Sequence, residues 1–264
     1  MRQGIALSES GLQQASASLG VGLPELWAVM TVETRGCGFF PDKQPVILFE
    51  RHWFRKLTNG RFDSVAPDLS NRIPGGYGKM SEQHERLARA VQLDRQAAFS
   101  STSWGLGQVM GFNAVKVGYP DVEAMVHEMY QSEDAQFQSM INFIANGNLA
   151  PHLREGKWRD FAYHYNGPDF QKNKYDVKLE QAHARYAIGP LPNLLVRAAQ
   201  LYLGYKGYLA GGVDGWYGPN TQKALIAFQK ANGLGATGQL DQATFALLEN
   251  VAIAGADAPP AVLS

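Results

Sequence analysis

Glu33 stands where a carboxyl group could act as a general acid. Residues 23–38 read LPELWAVMTVETRGCG. Pro24 suits a first helical turn, where its missing N–H costs nothing. Leu26, Val29 and Met30 recur at helical spacing, and Glu33 is the next position on that apolar stripe. Gly36 and Gly38 predict the end of the helix just beyond it. A carboxyl at the end of a buried stripe has its charged form disfavoured and its pKa raised. That is what a general acid needs near neutral pH. Taken alone, the stretch better fits a solvated last-turn residue on a slightly rotated helix, since a Glu is rarely fully buried unless paired; the residues that follow reverse that preference.

Other residues of the right chemistry follow. The apolar run Val46-Ile47-Leu48-Phe49 behind Pro45 predicts a strand that delivers Glu50 and His52 after the first helix. Two carboxyls flanking a bond are the usual equipment for glycoside hydrolysis. A salt bridge from Glu50 to Arg51 or Arg72 is the ordinary alternative, and the sequence favours neither. In residues 100–111, SSTSWGLGQVMG, small hydroxyl residues precede Trp104, Gly105, Gly107 and Gln108. Glycines let a backbone approach a ligand closely, and an amide such as Gln108 offers both donor and acceptor. A tight loop around a core tryptophan has the same composition. Tyr165 and Asn166 stand before Gly167-Pro168, so they project from a predicted helix end.

The elements that must position these groups are mostly helices. Residues 8–19 predict a short amphipathic helix capped by Ser8 or Ser10, with Leu12, Ala15 and Leu19 packing on the Glu33 helix. Residues 57–80 are rich in Gly, Pro, Asn and Asp, a long loop of the kind that serves as a lid or binding wall. One helix is expected over 81–99, capped by Ser81. A helical region follows from Asp121 to Asn146, then helices over 157–165 and 173–186. The six histidines are scattered, with no metal-ligand spacing, so neither a metal nor a cofactor is called for.

With Glu33, Gly105-Leu106-Gly107-Gln108 and Tyr165-Asn166 in this order, residues 5–187 resemble the lysozyme-like superfamily. The likeness is to goose-type lysozymes, soluble lytic transglycosylases and the N-acetylmuramidase domains of phage endolysins. It implies a mainly α, lysozyme-like catalytic domain over 1–187. It implies Glu33 as acid and a sugar cleft lined by Ser103, Gly105, Gln108, Tyr165 and Asn166. Such lysozymes usually carry an aspartate near the Gln loop. Here Val109, Met110 and Gly111 follow Gln108, and Asn113 is the nearest polar group, which leaves Glu50 as the candidate second carboxylate.

Residues 188–193 break the composition and predict a linker. Residues 194–250 carry a weak internal repeat. A turn with Asp and Thr precedes a helix at Asp214 to Thr221 and again at Asp241 to Thr244, where either residue can cap. Leu201, Leu225, Phe228, Leu247 and Leu248 are its expected core. The pattern resembles the three-helix peptidoglycan-binding domain of cell-wall hydrolases. That resemblance implies a shallow groove near Asp214, Trp216 and Tyr217, although both aromatics also suit a small core. Residues 251–264, Ala- and Pro-rich, are expected to form a flexible tail.

Bulk composition narrows the classes. The 24 basic and 24 acidic residues cancel, so nothing electrostatic points to nucleic acid. A single cysteine excludes an intrachain disulfide framework. No run reaches the roughly 18 apolar residues of a membrane helix, and MRQGIALSESG lacks the apolar core of a signal peptide. The expectation is a monomeric phage endolysin made in the host cytoplasm, released through a membrane pore, with bacterial peptidoglycan as partner. Its reaction would be hydrolysis of the β-1,4 bond between N-acetylmuramic acid and N-acetylglucosamine. A lytic transglycosylase forming anhydro-muramic ends remains the alternative. A zinc amidase, a peptidase using Cys37 with His52, and a non-catalytic wall binder fit the motifs less well.

Overall fold

The computed structural model describes residues 3–34, 36–209 and 211–254. In chain order they form α1 (Glu9–Leu19), α2 (Leu23–Glu33), β1 (Ile47–Phe49), α3 (Arg51–Leu57), α4 (Gln83–Leu93) and α5 (Arg95–Ser100). A hairpin of β2 (Thr102–Trp104) and β3 (Val109–Met110) follows, then α6 (Val122–Met129), α7 (Glu133–Asn146), α8 (Ala150–Arg154), α9 (Trp158–Asn166) and α10 (Tyr175–Ile188). The chain then forms α11 (Leu194–Tyr205), α12 (Pro219–Ala231) and α13 (Gln242–Ile253).

Helix starts are set by short polar side chains. Ser8, Asp94, Asp121, Ser132, Asn193 and Asp241 each accept a hydrogen bond from the backbone N–H three residues on. Such a cap contributes about 1 kcal/mol. Two of them divide stretches that periodicity alone joins. The helix expected over 81–99 is broken at Asp94, whose extended backbone lets its side chain cap α5. The region from 121 to 146 is divided at Ser132, which caps α7. Ser81 caps nothing, since it lies inside a short 3-10 turn, Met80–Glu82.

α1 packs on α7 as well as on α2, while α10 runs along α2. One core holds Leu26, Val29 and Met30 together with Phe137, Met140 and Ile141 of α7. The three strands pair antiparallel in the order β1-β2-β3. Their register sets Leu48 opposite Ser103 and Ser103 opposite Met110. Side chains alternate across a strand. Ile47, Phe49, Thr102 and Trp104 therefore face the core, and the row Leu48, Ser103, Met110 faces the other way.

The C-terminal domain is three-helical, and its repeat is held by two buried glutamines. Gln200 Oε1 accepts from the N–H groups of Asp214 and Gly215, and its Nε2 donates to Thr221 Oγ1. Gln229 does the same for Gly238 and Thr244. Gly215 and Gly238 both have positive φ, 76° and 74°, which glycine adopts without strain. Asp241 caps α13 as expected, but Asp214 does not cap α12. It accepts from Trp216 N–H and Gln200 instead. α13 runs on to Ile253 with Ala252 buried, so the helical domain extends past residue 250. Residues 255–264 of the expected tail lie outside the described residues.

The two domains share a buried contact. Arg197 of α11 forms a bidentate ion pair with Glu133 of α7, both sealed from solvent. Glu133 also accepts from the N–H groups of Leu7 and Gly38, and Arg197 donates to the Gly36 carbonyl. The loop that ends the Glu33 helix is therefore tied to the C-terminal domain.

Candidate active site

The end of α2, the sheet, the hairpin turn and the end of α9 surround one cleft of about 570 Å³. The structure brings Glu33, Glu50, Ser103, Gln108, Tyr165 and Asn166 to its walls, with Asn113 beside them.

α2 ends at Glu33 because Thr34 is extended and Gly36 takes a positive φ of 94°. The carboxyl is half-buried. Oε2 accepts a hydrogen bond from Asn166 Nδ2 at 2.7 Å. Oε1 and Asn166 Oδ1 are buried without a hydrogen-bond partner among the described residues. Burial pushes the Glu33 carboxyl up to about 7, against the opposing effects of the Asn166 bond and the Lys178 ammonium. At neutral pH a large fraction of Glu33 is protonated.

Glu50 is the residue before α3, placed there by the end of β1. Its partners are neither Arg51 nor Arg72. Tyr77 donates its hydroxyl to Oε1 at 3.1 Å, and His52 Nδ1 lies 3.1 Å from Oε2. Burial raises its carboxyl above the usual range, while Tyr77 and His52 oppose the shift. Two carboxyls on one cleft thus hold different partners, an amide for Glu33 and a phenol with an imidazole for Glu50.

Several roles differ from those the motifs suggest. Gly105 does not face the cleft. Its φ is 65°, and a Cβ there would meet Gln136 at 2.6 Å. Gly107 lines the cleft instead. Gln108 Nε2 donates to the carbonyls of Val46 and Gly105, and its Oε1 accepts from Ser103 Oγ. Its amide therefore fastens the hairpin turn to β1. Asn166 acts first on Glu33. Tyr165 is stacked on Phe161 at 5.3 Å, and burial raises its hydroxyl pKa far above the usual range. It serves as wall.

Sequence reasoning missed Tyr77, Phe143 and Tyr175. Tyr77 lies in the expected long loop, in the run Gly75-Gly76-Tyr77-Gly78, where all three glycines have positive φ. That run is the signal: three glycines bend the chain so that one aromatic reaches Glu50.

Cys37 is no nucleophile poised beside His52. Its thiol donates to the Phe39 carbonyl, and burial raises it to about 11. In the C-terminal domain Trp216 turns toward the first domain, with the Arg185 guanidinium 5.0 Å over its ring. Tyr217 is exposed and donates its hydroxyl to the Gly238 carbonyl. No single helix among the described residues is long and apolar enough to cross a membrane.

Comparison with known proteins bears on this geometry. A family model described as N-acetylmuramidase matches residues 22–187. One described as a putative peptidoglycan binding domain matches residues 193–248. Among solved structures, the crystal structure of the Burkholderia AP3 phage endolysin is similar, with a TM-score of 0.65 and 41% sequence identity. The match covers 69% of this chain and 71% of that one. The curated proteins give no match.

Proposed function

The chain belongs to the N-acetylmuramidase family, and from that membership we propose that Glu33 is the general acid of its reaction. The enzyme is a glycoside hydrolase acting on peptidoglycan, of the phage-endolysin kind, with a peptidoglycan-binding domain behind it. The bond proposed is the β-1,4 link from N-acetylmuramic acid to N-acetylglucosamine. One observation carries the assignment of the acid. Glu33 opens on the cleft with a carboxyl raised to about 7 and an unpartnered Oε1.

In this reading the Glu33 carboxyl delivers its proton to the leaving glycosidic oxygen. The Asn166 N–H on Oε2 stays to steady the carboxylate that forms. Positive charge develops on the sugar ring, and the carboxylates of the cleft stabilise it. Glu50 then guides the attacking water, with its Oε1 held by Tyr77 and the His52 ring beside its Oε2. Ser103, Gln108 and Tyr165 shape the wall on which the sugars lie. Attack by the muramic 6-hydroxyl, which gives an anhydro sugar, uses the same acid. A second carboxylate held on the same cleft favours water.

Wall contact falls to the C-terminal domain, with exposed Tyr217 as the aromatic face and the Asp214–Trp216 turn as its support. The protein acts at the cell wall, and release through a pore made by another protein is the proposed route. Cells expressing it without such a pore should keep their peptidoglycan intact.

Glu33→Gln tests the assignment. Loss of an acid is expected to cut turnover of purified peptidoglycan by about 10²–10⁴-fold, with the thermal midpoint not lowered. A variant that keeps most of the activity removes Glu33 from the mechanism.

A further inference from the structure

Beyond the Glu50 end of the cleft, two segments meet in an aromatic shelf. From Glu50 the chain enters α3 through His52 and Trp53, whose rings lie 5.6 Å apart. From Asn113, on the cleft wall, it steps back to Phe112. The Phe112 and Trp53 rings meet at 4.7 Å. Phe112 is 41% exposed, and Val115, three residues on, is 73% exposed. The Lys56 ammonium lies 4.3 Å over the indole, so the ring open to a ligand is Phe112, with Trp53 behind it. The side-chain amide of Asn113 has no hydrogen-bond partner among the described residues.

An apolar ring face beside a free amide is what a pyranose asks for. Its C–H face covers an aromatic ring, and its hydroxyl and acetamido groups need donors and acceptors. The shelf is continuous with the cleft through Glu50–His52–Trp53 on one side and Asn113–Phe112 on the other. A glycan strand bound across the carboxylates leaves the cleft over it.

We propose that Phe112, supported by Trp53 and flanked by Asn113, is a distal sugar subsite that holds an N-acetylated pyranose of the same glycan strand, beyond the two that are cleaved apart. This rests on the muramidase reading above. It makes affinity depend on strand length.

The test is binding to the full-length Glu33→Gln protein of peptide-free glycan strands, fractionated as tetrasaccharide and octasaccharide. Phe112→Ala in that background should weaken octasaccharide binding about five- to tenfold and leave tetrasaccharide binding within about twofold. Octasaccharide should also change the indole emission, and Trp53→Phe should remove most of that change. Equal weakening of both oligomers, or of neither, overturns the subsite. So does an emission change that survives Trp53→Phe. These are binding readouts, so they stand or fall apart from catalysis: residual turnover by Glu33→Gln would count against the acid, not against the shelf.

Discussion

At the scale of single residues, Glu33 ties function to stability. Burial raises its folded-state value to about 7 from an ordinary 4.5. The folded protein therefore holds this proton more tightly than the unfolded chain. The contribution is fully present below the unfolded value and is lost as pH rises through about 7. Charging this buried group costs about 3 kcal/mol. Glu33→Gln keeps the shape and never charges. Its stability should match the wild type in acid and exceed it by about 3 kcal/mol above roughly pH 8, as urea unfolding across pH will show. Wild-type activity should fall over the same range as the acid loses its proton. Tyr77 acts on the other carboxyl. Its hydrogen bond lowers the Glu50 value, so Tyr77→Phe should move the acid limb of the activity profile to higher pH. An unmoved limb would take Glu50 out of the rate equation.

At the scale of elements, α7 sets the cleft. Glu133 holds the Gly38 N–H, and Gln136 Oε1 accepts from the Leu106 N–H, so one helix fixes the loop after α2 and the hairpin turn. Gln108 then fastens that turn to β1. Gln108→Ala removes both donated bonds and forces an alanine to a φ of 49°. Thermal unfolding should show a loss of about 2 kcal/mol, with activity falling in step with the folded fraction. Gly38→Ala should be harsher, because a Cβ there would stand 1.7 Å from Gln136 Oε1.

Much at this scale was legible in the sequence. The long helices declared themselves by period, and the Glu33 stripe was read from four residues. What stayed hidden has physical reasons. β2 and β3 have three and two residues, too short for alternation to be seen. Asp94 and Ser132 break helices by capping the next one, which apolar period does not register. The Gly105 and Gln108 motif located the turn, but only the fold reveals that Gln108's amide is engaged by the backbone. Tyr77 and His52 find Glu50 through folding of a loop, so their partnership has no local signature.

At the scale of the molecule, the domains are joined through a buried charge pair. Arg197 and Glu133 are 64 residues apart, and nothing near either one predicts the other. Removing one partner of a buried ion pair costs about 3–5 kcal/mol because it leaves the other charge unpaired. Arg197→Ala should lower full-length stability by that amount, and Arg197→Ala with Glu133→Gln should recover part of it. Deleting residues 188–264 should weaken wall binding more than turnover on soluble fragments. The pair adds a second effect, since the deletion strands Glu133 inside the catalytic domain. The truncated domain should melt well below the full chain, and Glu133→Gln should partly restore it.

The central claim is that Glu33 protonates a glycosidic bond that water then opens. Mass spectrometry of the products from purified peptidoglycan, wild type against Glu33→Gln, tests it most directly. The account predicts glycan fragments with reducing muramic-acid ends from the wild type and none from the variant. Anhydro-muramic ends would replace water by the muramic hydroxyl, and intact glycan with cut peptides would contradict the assignment of Glu33 altogether.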